Sequence, residues 1–295
     1  MRLCTILFLS LMLSTAANAQ QTPVSEIPFE LLPSGHLLVK ATVNGITGSF
    51  LFDTGAGITL FTKSFFNKLP WSKRKDGGYT GFRATGERLD LDLYEVKDFQ
   101  LGTIKKAREE VSWLDVNLGG IDGIISLKLL EAWPFTIDFR KNVLRLDNSQ
   151  SLATAEKTAY SLPLQLEQSR NKALTIFTYF RVNDSLTLQF SLDSGAGKDI
   201  YRIHARYMQQ LGVNPADSLQ VQHLQKQSEF NPAHVTHIYT TTLPQLAAEK
   251  TPAVSVRNIP VQYVDDLIYD GIIWLNWLGS VITFDLPRQR LLVQR

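Results

Sequence analysis

Two aspartates carry the most chemistry in this sequence, because each sits in the same short phrase. Asp53 stands in Phe50-Leu51-Phe52-Asp53-Thr54-Gly55-Ala56-Gly57, and Asp193 in Phe190-Ser191-Leu192-Asp193-Ser194-Gly195-Ala196-Gly197. Each phrase is an apolar run entering an Asp, a hydroxyl residue and glycines. One copy is an ordinary strand-to-turn ending. Two copies at matching places in two halves predict a pair of carboxylates brought face to face. Such a pair cannot easily ionise twice, so it shares one proton. It then offers a donor and an acceptor at one point, which suits activating a water while polarising a carbonyl. The titration belongs to the pair and not to either residue.

The elements that must position the pair repeat in the same order. Before Asp53, Leu37 to Val43 and Ile46 to Phe52 flank Asn44-Gly45, a strong hairpin signal. Before Asp193, Leu174 to Val182 and Leu186 to Leu192 flank Asn183-Asp184, with one extra residue. After each Asp comes Asp-Gly-Ile-Ile, at 122–125 and 270–273, then a short apolar stretch. A hairpin-like ending closes each half, Phe135-Thr136-Ile137-Asp138 and Ile282-Thr283-Phe284-Asp285. Duplication is the economical reading.

Strand signals dominate, at 37–43, 46–52, 89–101, 135–146, 174–182, 186–192 and 281–293, so the chain reads as all-β with short helices. Thr62 can cap a turn or two through Phe65, Phe66 and Leu69, and His204 to Leu211 ends at Gly212. Gly77-Gly78-Tyr79-Thr80-Gly81 reads as a mobile hairpin that could place Tyr79 over a cleft, with Gln220 to Thr242 in the corresponding place of the second half. The polar stretch Asp147 to Ser161 lacks strong periodicity and marks the boundary. Residues 20–150 and 151–295 are therefore the two expected lobes.

The N-terminus reads as an address. Arg2, the apolar run Leu3 to Leu13 and Ala17-Asn18-Ala19 predict a signal peptide over residues 1–19. The apolar run is shorter than the roughly 20 residues that span a bilayer. Export to a periplasm or the extracellular space is expected, with no membrane anchor. The sole cysteine, Cys4, leaves with the leader, which excludes disulfides, thiol catalysis and cysteine-based zinc sites from the mature chain. A net charge of +2 gives no field suited to nucleic acid; Lys73-Arg74-Lys75 reads as a solvated loop. His234 and His237 have metal-like spacing but no third ligand, so no metal and no cofactor are expected.

These residues resemble the aspartic-protease superfamily of pepsin and retropepsin type. Asp53-Thr54-Gly55 and Asp193-Ser194-Gly195 match its Asp-Thr/Ser-Gly motif, and the Gly-Ile-Ile phrases resemble its later apolar motif. The single-chain duplication is pepsin-like; the short loops and Ala56 and Ala196 are closer to retropepsins and their bacterial relatives. The resemblance implies two pseudo-symmetric, barrel-like β lobes with Asp53 and Asp193 as the catalytic dyad. It implies that the Thr54 and Ser194 hydroxyls reach across to the opposite loop, and that Gly55 and Gly195 bring amides near the carboxylates. The implied activity is an exported aspartic endopeptidase acting on peptide or unfolded protein. Two alternatives stand beside it: a catalytically silent member of the fold that binds peptides or a partner protein, and a hydrolase of non-peptide carbonyls. Ser126 and Trp274 stand where the family commonly has glycine. Trp274 is expected to pack in the interior, against the alternative of a cleft wall. Ala56 and Ala196 lack the hydroxyl common in pepsin-like members, so the pair should hold its proton more tightly.

Overall fold

The computed structural model of the protein describes residues 25–228, 231 and 233–295. The expected leader therefore lies outside the described residues. The first half supplies strands β1 (Ser25–Leu31), β2 (Leu37–Val43), β3 (Ile46–Asp53), β4 (Leu60–Thr62), β5 (Lys73–Phe82), β6 (Arg88–Leu101), β7 (Ile104–Leu114), β8 (Gly123–Ser126), β9 (Phe135–Asp138) and β10 (Val143–Leu146). The second supplies β11 (Tyr160–Pro163), β12 (Gln165–Ser169), β13 (Ala173–Val182), β14 (Leu186–Leu192), β15 (Tyr201–His204), β16 (Gln222–Gln227), β17 (Val235–Ala248), β18 (Thr251–Val264), β19 (Gly271–Ile273), β20 (Val281–Asp285) and β21 (Arg290–Gln294). Helices α1 (Lys63–Phe66) and α2 (Ser149–Glu156) are short.

One strand order is written twice. The first sheet runs β1-β2-β3-β8-β4-β7-β6-β5 and the second β12-β13-β14-β19-β15-β18-β17-β16. An extra pairing, β2 with β6 and β13 with β17, turns each sheet back on itself. The hairpin turns follow the sequence signals. Asn44 and Gly45 both have positive φ (51° and 81°), as do Asn183 and Asp184 (50° and 54°), which matches the right-handed twist of the flanking strands. The extra residue in the second copy is Ser185, which lengthens that loop before Leu186 pairs with Val182.

The hairpin endings do something the sequence did not show. β9 pairs with β10 on one side and β20 on the other, so strands from the two halves form a common sheet, β11-β21-β20-β9-β10-β1. Phe135 and Phe284 stack across that junction at 4.8 Å between ring centroids. One continuous apolar core holds Phe52, Phe135 and Ile137 from the first half with Phe190, Ile273 and Phe284 from the second.

Some local expectations need correction. The Asp147 to Ser161 stretch contains α2, started by a capping box between Asn148 and Ser151, whose side chains satisfy each other's backbone amides. His204 to Leu211 is the end of β15 and a single 3₁₀ turn at Ala205–Tyr207, because the sheet claims its first residue. Lys73-Arg74-Lys75 lies in β5, not in a loop. The 77–81 phrase is also inside β5, where a bulge between Arg74 and Gly78 absorbs the glycines; the turn proper is Arg83–Glu87.

Candidate functional site

Each Asp loop is the end of a strand held from both sides. β3 runs parallel to β8, with Phe50 opposite Gly123, and β14 parallel to β19, with Phe190 opposite Gly271. The acidic residues of the Asp-Gly-Ile-Ile phrases fix this pairing. Asp122 accepts from the Ser49 amide at 2.9 Å and Asp270 from the Gln189 amide at 3.3 Å.

The loops then interlock. The Thr54 hydroxyl donates to the Leu192 carbonyl at 2.7 Å and accepts from the Ser194 amide at 2.9 Å. The Ser194 hydroxyl donates to the Phe52 carbonyl at 2.9 Å and accepts from the Thr54 amide at 3.0 Å. Both hydroxyls are fully buried, so four bonds in a dry place fix one loop on the other. The glycines permit the approach. A Cβ on Gly55 would lie 2.4 Å from Asp193 Cγ, and one on Gly195 2.3 Å from Asp53 Oδ2.

Asp53 and Asp193 consequently face each other, each carboxylate set against the glycine of the opposite loop, close enough for each to shift the other's titration. Their surroundings differ. Asp53 Oδ1 accepts from the Gly55 amide at 2.8 Å and the Ala56 amide at 3.1 Å, whereas Asp193 Oδ1 accepts from the Gly195 amide alone, at 2.8 Å. Burial raises both carboxyls, and those amides offset only part of the rise at Asp53. Burial and then the charge of Asp53 push Asp193 well above the ordinary carboxylate range. Of the two, Asp193 is thus the carboxyl pushed further toward its protonated form.

The loops are braced from behind by residues that the sequence did not single out for this. His36 hydrogen-bonds the Gly195 carbonyl through Nε2 at 3.0 Å and Ser34 through Nδ1 at 2.8 Å. Ser126 and Trp274, the departures from glycine, serve matching ends: Ser126 Oγ donates to the Ala56 carbonyl at 2.6 Å, and Trp274 Nε1 to the Ser194 carbonyl at 3.1 Å. Trp274 is buried behind the loop against Phe139 and does not wall the cleft.

The pair lies at the floor of a cleft of about 580 Å³. Tyr79, Leu60, Leu89 and Leu91 wall it from the first half, and Arg202, Ile268 and Tyr269 from the second. Tyr79 projects from the β5–β6 hairpin, with the Arg170 guanidinium 5.4 Å from its ring. The tip of this hairpin reaches the other half. Glu87, buried, accepts from Ser228 Oγ at 2.7 Å and Arg83 Nη1 at 3.0 Å. His234 Nε2 donates to the Thr85 carbonyl at 3.0 Å, and the Ile268 amide donates to Ala84 at 3.1 Å. Burial raises the Glu87 carboxyl, but Ser228 and Arg83 more than offset this and leave it below its ordinary range. The cleft is roofed by hairpins latched tip to tip.

His234 and His237 do not converge: His237 instead pairs with His223 at 3.0 Å. Among the described residues, no group of three or more His, Cys, Asp or Glu side chains is placed to hold a metal ion. No helix among them is long and apolar enough to cross a membrane.

Comparison with known proteins bears on fold first. The profile of a family described as Aspartyl protease matches residues 39–129, which includes Asp53-Thr54-Gly55 and the first Asp-Gly-Ile-Ile phrase. No curated protein matches the chain by sequence. The crystal structure of edgp is similar at TM-score 0.50 and 10% identity, over 91% of this chain and 94% of that one. The crystal structure of Basic 7S globulin from soybean is similar at 0.48 and 9%, over the same shares. The chain therefore has a mostly β, distantly aspartic-protease-like fold.

These findings correct the expectation of an endopeptidase. At such identity the structural likeness is one of fold alone and carries no peptidase activity to this chain. The family profile reaches one of the two Asp loops and not the other. Fold and motif do not by themselves bring hydrolysis with them.

Proposed function

We propose that this protein binds an extended peptide, or a flexible segment of a partner protein, in the cleft above Asp53 and Asp193. The observation that carries this reading is the site's composition: a cleft with an apolar wall at Leu60, Leu89 and Leu91, floored by an acid pair that can donate and accept at one point. An extended chain presents alternating carbonyls and amides. A carbonyl set over protonated Asp193 accepts its hydrogen bond, and an amide over Asp53 donates to it. The hairpin β5–β6 offers a strand edge to the segment, the usual way a sheet holds extended peptide. The repeated strand order and registers support reading residues 20–150 and 151–295 as two lobes related by an approximate two-fold axis through the acid pair. The leader-like residues 1–19 support export, so the segment bound would belong to a periplasmic or extracellular protein.

The test is calorimetric titration with peptides from an unfolded protein, followed by intact mass measurement of the recovered peptide. Saturable binding with peptide returned whole is expected. Tyr79→Ala should weaken binding by about tenfold, as loss of a buried aromatic contact does. Peptide fragments that vanish with Asp53→Asn would overturn the binding-only reading, and absence of binding would overturn the cleft as a peptide site.

A further inference from the structure

The two walls of the cleft carry one position twice with opposite chemistry. In the first half Leu60 pairs with Ser112 of β7 and Ile124 of β8. In the second, Arg202 pairs with Gln262 of β18 and Ile272 of β19. The next residue matches as well, Phe61 opposite Gly123 and Ile203 opposite Gly271. Leu60 and Arg202 are thus the same register position of the repeated sheet, and both line the cleft. Leu60 sits in an apolar patch with Ile58, Leu89 and Leu91. Arg202 puts a cation in its place.

The arginine is held but not neutralised by a close acid. Its Nε donates to Gln262 Oε1 at 3.1 Å, which fixes the stem of a side chain that lines the cleft. Among the described residues it enters no ion pair. The acid nearest in effect is Asp193, whose carboxyl burial and the charge of Asp53 push well above the ordinary range. Glu167 also lines the cleft but is exposed on β12, where water screens it. Guanidinium presents parallel N–H groups that match a carboxylate in two-pronged fashion. Burial of this one lowers its affinity for its own proton, and the charge of Asp193 works the other way without cancelling it.

We propose that Arg202 binds a carboxylate of the segment in the cleft, an Asp or Glu side chain or a C-terminal carboxyl, while the Leu60 wall takes an apolar residue on the opposite side of the acid pair. This rests on the peptide-binding reading and adds polarity to it: the sheet is duplicated, but the segment can lie in only one direction.

The experiment uses the full mature chain and extended octapeptides of apolar and small residues. A single Glu is scanned through the four central positions, with Gln at the same place as the neutral control and amidated C-termini throughout. Fluorescence anisotropy should show one position at which Glu binds about tenfold or more tighter than Gln, the worth of one charge-assisted contact. Arg202→Gln should bring that ratio close to one and leave the Gln peptide's affinity within about threefold, with Arg202→Lys recovering part of the preference. A second series with free C-termini separates a terminal carboxyl from a side chain. Binding with no acidic preference at any position or terminus, or a preference unchanged in Arg202→Gln, would overturn the assignment and leave the peptide site standing. Failure of every peptide to bind would remove both.

Discussion

At the scale of residues, the acid pair is a costly feature whose cost can be read by titration. Asp193 has a folded pKa raised above its unfolded value, chiefly by burial and then by Asp53. The folded protein therefore binds the more protons, so stability is greater at acid pH and is lost as pH climbs from the ordinary carboxylate range through the raised value. Asp193→Asn imitates the protonated acid, and should raise stability near neutral pH by about 1.4 kcal/mol per pKa unit of the rise. It should also flatten the dependence of the unfolding midpoint on pH over that window. Denaturant titrations from acid to neutral pH check this; equal slopes in both proteins would show that Asp193 does not hold the proton. Asp53→Asn should help less, since the Gly55 and Ala56 amides already favour its charge. Thr54→Val acts in the other direction. It removes a hydroxyl that both donates and accepts inside the interlock, and should cost about 1–3 kcal/mol by leaving the Ser194 amide and Leu192 carbonyl unpaired.

At the scale of elements, the latch between hairpin tips is the part most open to change. Glu87 has a folded pKa below its unfolded one. Its contribution is therefore present above the ordinary carboxylate range and lost as pH falls through the lowered value. Its carboxyl is buried but its charged partner Arg83 is partly exposed, so the contribution is about 1 kcal/mol. Glu87→Gln should speed hydrogen exchange at the Arg83–Glu87 amides by roughly fivefold at neutral pH, with the global unfolding midpoint nearly unchanged. The difference between the two proteins should fade on acidification. Exchange that speeds up equally across the core strands would mean that Glu87 supports the whole fold rather than the latch. Helix α2 offers a smaller check. Asn148→Ala removes the cap accepted by the Gln150 and Ser151 amides and should cost about 1 kcal/mol in thermal unfolding.

At the scale of the whole molecule, the common sheet makes the two halves one cooperative structure. β9 is covered by β20, and Phe135 by Phe284, so a chain ending near Lys157 would expose an apolar strand edge. Residues 20–157 alone should self-associate or unfold, as size-exclusion chromatography and circular dichroism would show. A stable monomer with its own cooperative transition would contradict this. In the full chain Phe284→Ala should cost about 3–5 kcal/mol, felt by both halves in a single transition.

The sequence by itself determined the repeat and what it builds locally. Asn44-Gly45 and Asn183-Asp184 prescribe their turns through backbone conformation, and alternation of buried side chains prescribes strands such as Leu37–Val43. The Asp-Thr-Gly and Asp-Ser-Gly phrases were legible because glycine, hydroxyl and carboxylate at that spacing leave few alternatives, and the structure brings all six residues together. Tertiary structure decided what depends on meetings between distant segments. Gly77 to Gly81 looked like a turn, yet pairing with β6 drew it into a strand and moved the turn to Arg83–Glu87. His36, Ser126 and Trp274 brace the loops through backbone carbonyls, which have no signature in the bracing residue's own neighbourhood. Arg202 gave no local signal either: a charge in a short strand reads as solvated until a register shows it in the place of Leu60. Activity was the furthest from the sequence. A motif specifies where a carboxylate can stand, but what happens above it depends on the free energies of a bound segment and its transition state, which the same floor can serve for holding a peptide without cutting it.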